Sequence, residues 1–444
     1  MLTMKKQETM DILAKLSLTA LIWLLVFQSP LESVWGPFSY IDELTALIGA
    51  CLGMYDIVVV RKGRPSKDQL WMGVLLIAFV AIGLTGNLLY RYQPWKCVII
   101  DLYTNLKFFF AIGTGYYLFA GLDWEEMKTI ARWNAAIIAT ILFAIFLVDR
   151  VFHFWPCEVR YGIASAKLFY YHPTYLAGAV AFLLALLTVF YEKKNLPFIA
   201  IAVIIMAFTL RAKALASAAM YVAMFVFFVV LKLHLKLWHV VVAGAGVVAI
   251  GWDKIRLYFV DNSTTMPRAI FLRTSLQVMQ DYAPIGTGFG TFGSAEAGKH
   301  YSAVYLKYGF NDLYHVRDAQ NVENTMRLIN ESAGLTYLYQ LDPERYLYRE
   351  SYMSDHFWPI IFGQTGYLGT VVFLIILAVL LKKCFDALKF DLFAYVGVLF
   401  VFVFLLISSM AEPAFHNMVA VPLAMVMGMV FCRMDAQKQM KEKE

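Results

Sequence analysis

Apolar runs of about 20 residues recur along almost the whole chain, and a run of that length is what a helix needs to cross roughly 30 Å of hydrocarbon. Lipid offers no partner to backbone N–H and C=O groups, so such runs fold as helices and not as open strands. We place twelve of them, at 10–28, 40–60, 70–90, 97–120, 130–151, 173–191, 196–210, 214–232, 237–252, 357–381, 391–410 and 414–432. Composition agrees: of 444 residues 60% are hydrophobic and 16% charged, with a mean hydropathy of +0.62, too apolar for an ordinary soluble protein. The expected fold is therefore all-α, a polytopic bundle. The first apolar stretch lacks a small-residue cleavage site and reads as a retained anchor.

Alternate short connections carry the cations. Arg61, Lys62, Arg64 and Lys67 fall in one, Lys128 in another, then Lys193 and Lys194, Lys232 and Lys236, and Lys382, Lys383 and Lys389. Cationic loops resist translocation, so this set is assigned to the cytoplasm. Lys5 and Lys6 near the start and Lys438, Lys441 and Lys443 near the end put both termini there too. The net charge of +6 is thus mainly a topology signal, and no soluble basic face for nucleic acid is expected. The five cysteines are scattered. No pair of them has metal-ligand spacing, so neither a disulfide scaffold nor a zinc site is expected, and no cofactor.

Three parts follow: residues 1–252 with about nine spans, a large non-cytoplasmic loop over 253–355, and residues 356–444 with three spans and a cytoplasmic tail. Connections beyond about 15 residues are uncommon unless they are functional. This one holds ten Lys plus Arg, twelve Asp plus Glu and eleven Tyr. Tyrosine offers an apolar face with a polar edge, suited to a membrane interface or a sugar ring. Within the loop, Ile270, Phe271, Leu272, Leu276 and Met279 have the spacing of an amphipathic helix. Pro267 suits its first turn. Such a helix is expected to lie on the membrane and present Arg268 and Arg273.

The stretch DYAPIGTGFGTFGSA (281–295) follows directly, with Gly286, Gly288 and Gly290 alternating. A dinucleotide or Walker fingerprint needs a strand before it and a helix N-terminus after it, and here no Lys-Ser/Thr ending follows. A nucleotide site is not expected.

Charges at membrane depth are costly and raise a functional hypothesis. FTLRAKALASAAM (208–220) places Arg211 and Lys213 against the positive-inside trend. EVRYGIASAKLFYYHPTYLAG (158–178) supplies Arg160, Lys167 and His172. ESYMSDHFWPIIFGQTGYLG (350–369) sets Glu350, Asp355 and His356 at the water end of the tenth span. Guanidinium groups fit phosphates bidentately, and a nearby carboxylate can act as a general base. The pattern suits transfer from a lipid phosphate carrier.

These same segments, together with PRAIFLRTSLQVMQDYAPIGTGFGTFGS, resemble the bacterial O-antigen polymerase and O-antigen ligase superfamily. Its members are membrane glycosyltransferases that use sugars carried on undecaprenyl diphosphate. The order of the segments and the long exported loop agree with that family; the N-terminal third contributes hydropathy alone. The resemblance implies a GT-C-like enzyme in the bacterial inner membrane, inverting and metal-independent. It assigns diphosphate binding to Arg211 and Arg268, with Lys213, Arg273 and Arg160 beside them. Pro284, Gly286, Gly288, Gly290 and Phe292 become a packed turn that touches no phosphate. Ligases place a His where Asp355 stands here, with His356 at the neighbouring position. That departure, and the tyrosine-rich KHYSAVYLKYGF (299–310), is closer to repeat-unit polymerases. Asp355 or His356 is the expected base, and His172, Tyr301 and Tyr305 are candidate sugar contacts. The partners implied are a lipid-linked oligosaccharide, membrane lipid and a chain-length regulator. Ligase activity and carrier-lipid transport are the alternatives.

Overall fold

A computed structural model describes residues 2–62, 66–155, 157–160, 162–233, 256, 267–300, 302–308 and 356–441. The described part is helical apart from one two-stranded hairpin, β1 (Val159–Arg160) and β2 (Ile163–Ala164). The helices are α1 (Leu2–Val26), α2 (Gln28–Val34), α3 (Ile41–Tyr55), α4 (Lys67–Tyr90), α5 (Trp95–Tyr117) and α6 (Trp124–Phe152). After the hairpin come α7 (Pro173–Val189), α8 (Leu196–Phe208) and α9 (Ala212–Met224). The loop segment holds α10 (Pro267–Asp281), α11 (Ala295–Lys299) and α12 (Ala303–Lys307). The chain closes with α13 (Phe357–Asp386), α14 (Leu392–Ser409) and α15 (Ala420–Lys441).

Local sequence sets several boundaries. Ser66 and Gln69 form a reciprocal capping box at the start of α4, satisfying amides that the helix leaves without a partner. Asp123 caps α6 and Asp391 caps α14, each carboxylate accepting one backbone amide. Arg91 and His153 adopt left-handed conformations that stop α4 and α6.

Among the described residues seven helices are long and apolar enough to cross a membrane: Gly36–Val60, Lys67–Tyr90, Trp95–Tyr117, Trp124–Phe152, Ala212–Val230, Trp358–Lys389 and Leu392–Ser409. Ile12–Val26 and Gln28–Val34, bent by 72°, make an eighth if taken as one broken span. The expected twelve are thus matched in part. The spans at 173–191 and 196–210 correspond to helices of 17 and 13 residues, short for a full crossing. The one at 414–432 begins late, at Ala420, because residues 414–416 form a separate 3-10 turn. The span at 237–252 lies outside the described residues. Large apolar side chains including Val58, Ile77, Leu89, Ile99 and Val151 face outward, as lipid-facing residues do.

The interior is built around α7, which is buried on almost every side and packs against α6, α8 and α14. Small residues bring other backbones together. A Cβ on Gly115 would lie 2.0 Å from the carbonyl of Met425, and one on Gly428 would lie 2.1 Å from that of Ile112. Only hydrogen fits between α5 and α15, the close approach by which helices associate in lipid.

Alternate connections gather at two ends. At the tail end, Tyr116 donates to Asp435 at 2.9 Å, Gln69 to Tyr117 at 2.7 Å, and Lys383 pairs with Asp435 at 3.3 Å. At the opposite end, here the loop end, Tyr170 donates to the Val26 carbonyl at 3.0 Å and the Ala166 amide to that of Phe208 at 2.7 Å.

The loop helix α10 forms over the expected residues. It packs against α13, burying Ala269, Phe271, Leu272, Ser275 and Val278, while Leu276 faces outward. The buried stripe is set by the small residues Ala269 and Ser275, which permit close contact with α13 and carry little hydropathic signal. This helix forms part of the wall of the bundle.

Candidate functional site

Four cations from three separate segments come together at the loop end. The tight turn between α8 and α9 places Arg211 at the N-cap of α9 and Lys213 on its first turn. That turn is held by Thr209, whose hydroxyl donates to the Met206 carbonyl at 2.8 Å, and by Leu210 in a left-handed conformation. The β1–β2 hairpin, docked on the end of α8 through the Ala166 amide, brings in Glu158 and Arg160. Glu158 accepts from Arg160 at 2.9 Å and lies 3.5 Å from Arg211 Nη2. Lys213 is ion-paired with Glu412 from the turn after α14. Arg268, at the start of α10, is within electrostatic reach of Lys213.

The balance is four cations against two carboxylates, and these groups are mostly half-buried or buried. Burial weakens the charged form of Arg211, with Glu158 supporting it. Burial works against ionisation of Glu158 as well, yet Arg160 and Arg211 hold its carboxyl below the usual range. The Nε of Arg211 is buried and makes no hydrogen bond among the described residues. An anion with several acceptor oxygens would satisfy that donor and neutralise the excess positive charge.

His172 sits in the same cluster with a different task. Its Nδ1 accepts the Thr174 amide at 3.2 Å, capping α7 ahead of Pro173. Burial first, and then Arg211, push its pKa down to about 4. The ring is neutral near pH 7, as an accepting Nδ1 requires.

The N-terminus of α13 abuts the turn that carries Glu412. Trp358 Nε1 donates to Ser409 at 3.1 Å, and the Phe357 and His416 rings are 5.1 Å apart. His356 is buried at the N-cap of α13. Asp355 lies outside the described residues, as does Tyr301.

The glycine-rich stretch is a plug. Every glycine from Gly286 to Gly293 has positive φ, a region L side chains seldom occupy. Its amides are consumed by the protein: Thr287 by the Gly363 carbonyl at 3.0 Å, Gly288 by that of Gln364 at 2.8 Å, Phe289 by Asn87 at 2.8 Å, Gly290 by Asp101 at 2.8 Å and Gly293 by Tyr305 at 2.8 Å. A phosphate would find those donors occupied. α13 breaks at Gly366 (φ 60°, ψ −158°) to admit the plug, since a Cβ there would lie 2.4 Å from the Gly286 nitrogen.

Arg211, Lys213, Arg160 and His172 therefore cluster, with Arg268 in electrostatic reach of Lys213. Arg273 lies further along α10, its Nε donating to the Ala269 carbonyl at 3.4 Å. Tyr305 is completely buried against Phe271 and Phe292, a packing residue with no face for a sugar to stack on. Sequence reasoning did not single out Glu158 or Glu412 as site residues. The signal for Glu412 was present, a lone acid between two apolar spans in SSMAEPAF.

The chain matches no protein-family model and no curated protein.

Proposed function

We propose that the protein is a bacterial inner-membrane glycosyltransferase that joins surface-polysaccharide repeats carried on undecaprenyl diphosphate. The observation that carries the reading is the meeting of Arg160, Arg211, Lys213 and Arg268 around two carboxylates, with a buried guanidinium nitrogen of Arg211 left without a hydrogen bond among the described residues. Such a site suits a diphosphate at membrane depth. The departing group of this reaction is a diphosphate, so the same cations would stabilise the negative charge that develops there.

In this reading a sugar hydroxyl attacks the anomeric carbon of the growing chain from the face opposite the diphosphate. The bond from that carbon to the phosphate oxygen breaks, its electron pair leaves with the diphosphate, and configuration inverts. The hydroxyl proton passes to Asp355 or His356. The glycine plug holds α10 against α13 and so fixes where Arg268 stands.

Removing one oriented charge-assisted contact in such a site costs about 2.7 to 4 kcal/mol, roughly 10² to 10³ in rate. Cells carrying Arg211→Ala or Arg268→Ala should therefore make single repeats and little polymer. Full-length polymer at normal yield from both variants would refute the assignment, and long chains retained on the carrier lipid would mark a ligase instead.

A further inference from the structure

A second group of side chains lies where the end of the glycine plug rests on α5. Cys97 sits in the first turn of α5 and is fully buried; Glu296, on α11, is buried as well; His300, at the C-cap of α11, is exposed. One ligand atom from each, the thiol sulfur, a carboxylate oxygen and an imidazole nitrogen, lies within 4.8 Å of the other two.

We propose that Cys97, Glu296 and His300 bind one divalent transition cation of the zinc class, which fastens the segment after the plug to α5. Thiolate and imidazole together select such an ion over magnesium or calcium, which take oxygen donors. Glu296 and His300 are four residues apart, the spacing that aligns two side chains on one helical face, and their ligand atoms are already 3.7 Å apart. Tetrahedral zinc with bonds of about 2.0 to 2.3 Å sets its donors between about 3.3 and 3.8 Å apart. Cys97 needs to close by at most about 1 Å to meet that geometry.

The surroundings favour a cation. The Cys97 thiol is in hydrogen-bonding reach of Glu296, and the buried carboxylate of Asp101 is in electrostatic reach of the same acid. On binding, the thiol proton leaves to solvent and the sulfur coordinates as thiolate, so affinity falls with acid. The exposed side of His300 leaves a fourth position to water. The ion would act by positioning: Asp101 holds the Gly290 amide and Ser294 caps α11, so plug, helix and α5 would move as one piece. The inference stands apart from the glycosyltransferase reading.

The test uses full-length protein in detergent, stripped with chelator and then titrated with ZnCl2 or CoCl2. The expected result is one metal per chain after gel filtration and a thiolate-to-cobalt charge-transfer absorption. His300→Ala, a surface change that leaves the fold intact, should weaken binding at least about tenfold. Failure of the wild type to retain stoichiometric metal, or equal binding by His300→Ala, would overturn the proposal.

Discussion

Replacing Lys107 with Met should destabilise the protein severely. Lys107 Nζ lies 2.6 Å from Asp42 and 3.4 Å from Glu43, and the Lys107 and Asp42 side chains are 5% and 2% exposed. Gln28 adds a bond to Asp42 at 2.6 Å, so the pair ties the bend between α1 and α2 to α5. Methionine preserves the volume of the stem and removes the charge alone. A buried carboxylate then remains without its cation, and breaking one side of a buried pair costs about 3 to 5 kcal/mol. Neutralising both partners is different: Lys107→Met with Asp42→Asn keeps an acceptor for Gln28 and leaves only Glu43, whose side chain is 37% exposed, without the cation, so it should recover most of the loss. The assay is unfolding of purified protein in mixed micelles with increasing dodecyl sulfate, followed by circular dichroism, with the four proteins forming a double-mutant cycle. A single variant within about 1 kcal/mol of wild type, or a double variant no better than the single, would refute the reasoning.

Gly288→Ala forces a side chain into φ +99°, against Asn87 at 2.5 Å; the strain of about 1 to 2 kcal/mol plus that clash should lower thermal stability, and an unchanged melt would be contrary. Asn87→Leu removes both bonds that Asn87 makes with Phe289, leaving two buried backbone groups unpaired at about 1 to 3 kcal/mol each; protease cleavage within 282–300 should become faster. His172 has a folded pKa of about 4 against an unfolded value near 6.5. Its folded state binds fewer protons between those values, so wild type should lose stability as pH falls from about 6.5 to about 4. His172→Asn, which can still cap α7, should lack that share of the acid loss; identical pH profiles would contradict the assigned role.

The membrane helices were legible because one physical rule, the satisfaction of backbone groups inside the segment, shapes every apolar run. Where that rule was silent, the reading failed. α7 is only 17 residues long and is covered by other helices, so its hydropathy reports burial in protein as well as in lipid. α10 was recognised by period, but Ala269 and Ser275 are chosen for closeness and not for hydropathy, and its partner α13 could not be inferred. The convergence of Arg211, Lys213 and Arg160 was foreseeable because alternate connections fall at the same end of a helical bundle. Their pairing with Glu158 and Glu412 was not, because it depends on which turns are neighbours in space. Cys97, Glu296 and His300 were invisible for the same reason: only one of the three is a cysteine, and the other two lie about two hundred positions further along the chain.

The account rests on the cationic cluster being an anion site, and binding measures that without any need for turnover. Purified protein in detergent should bind a polyprenyl diphosphate, and Arg211→Ala and Arg268→Ala should each weaken that binding roughly tenfold to a hundredfold, the value of a hydrogen bond to a charged group at about 1.5 to 3 kcal/mol. Arg433→Ala, at the tail end, should bind as wild type does. Equal affinity in all four proteins would contradict the central claim.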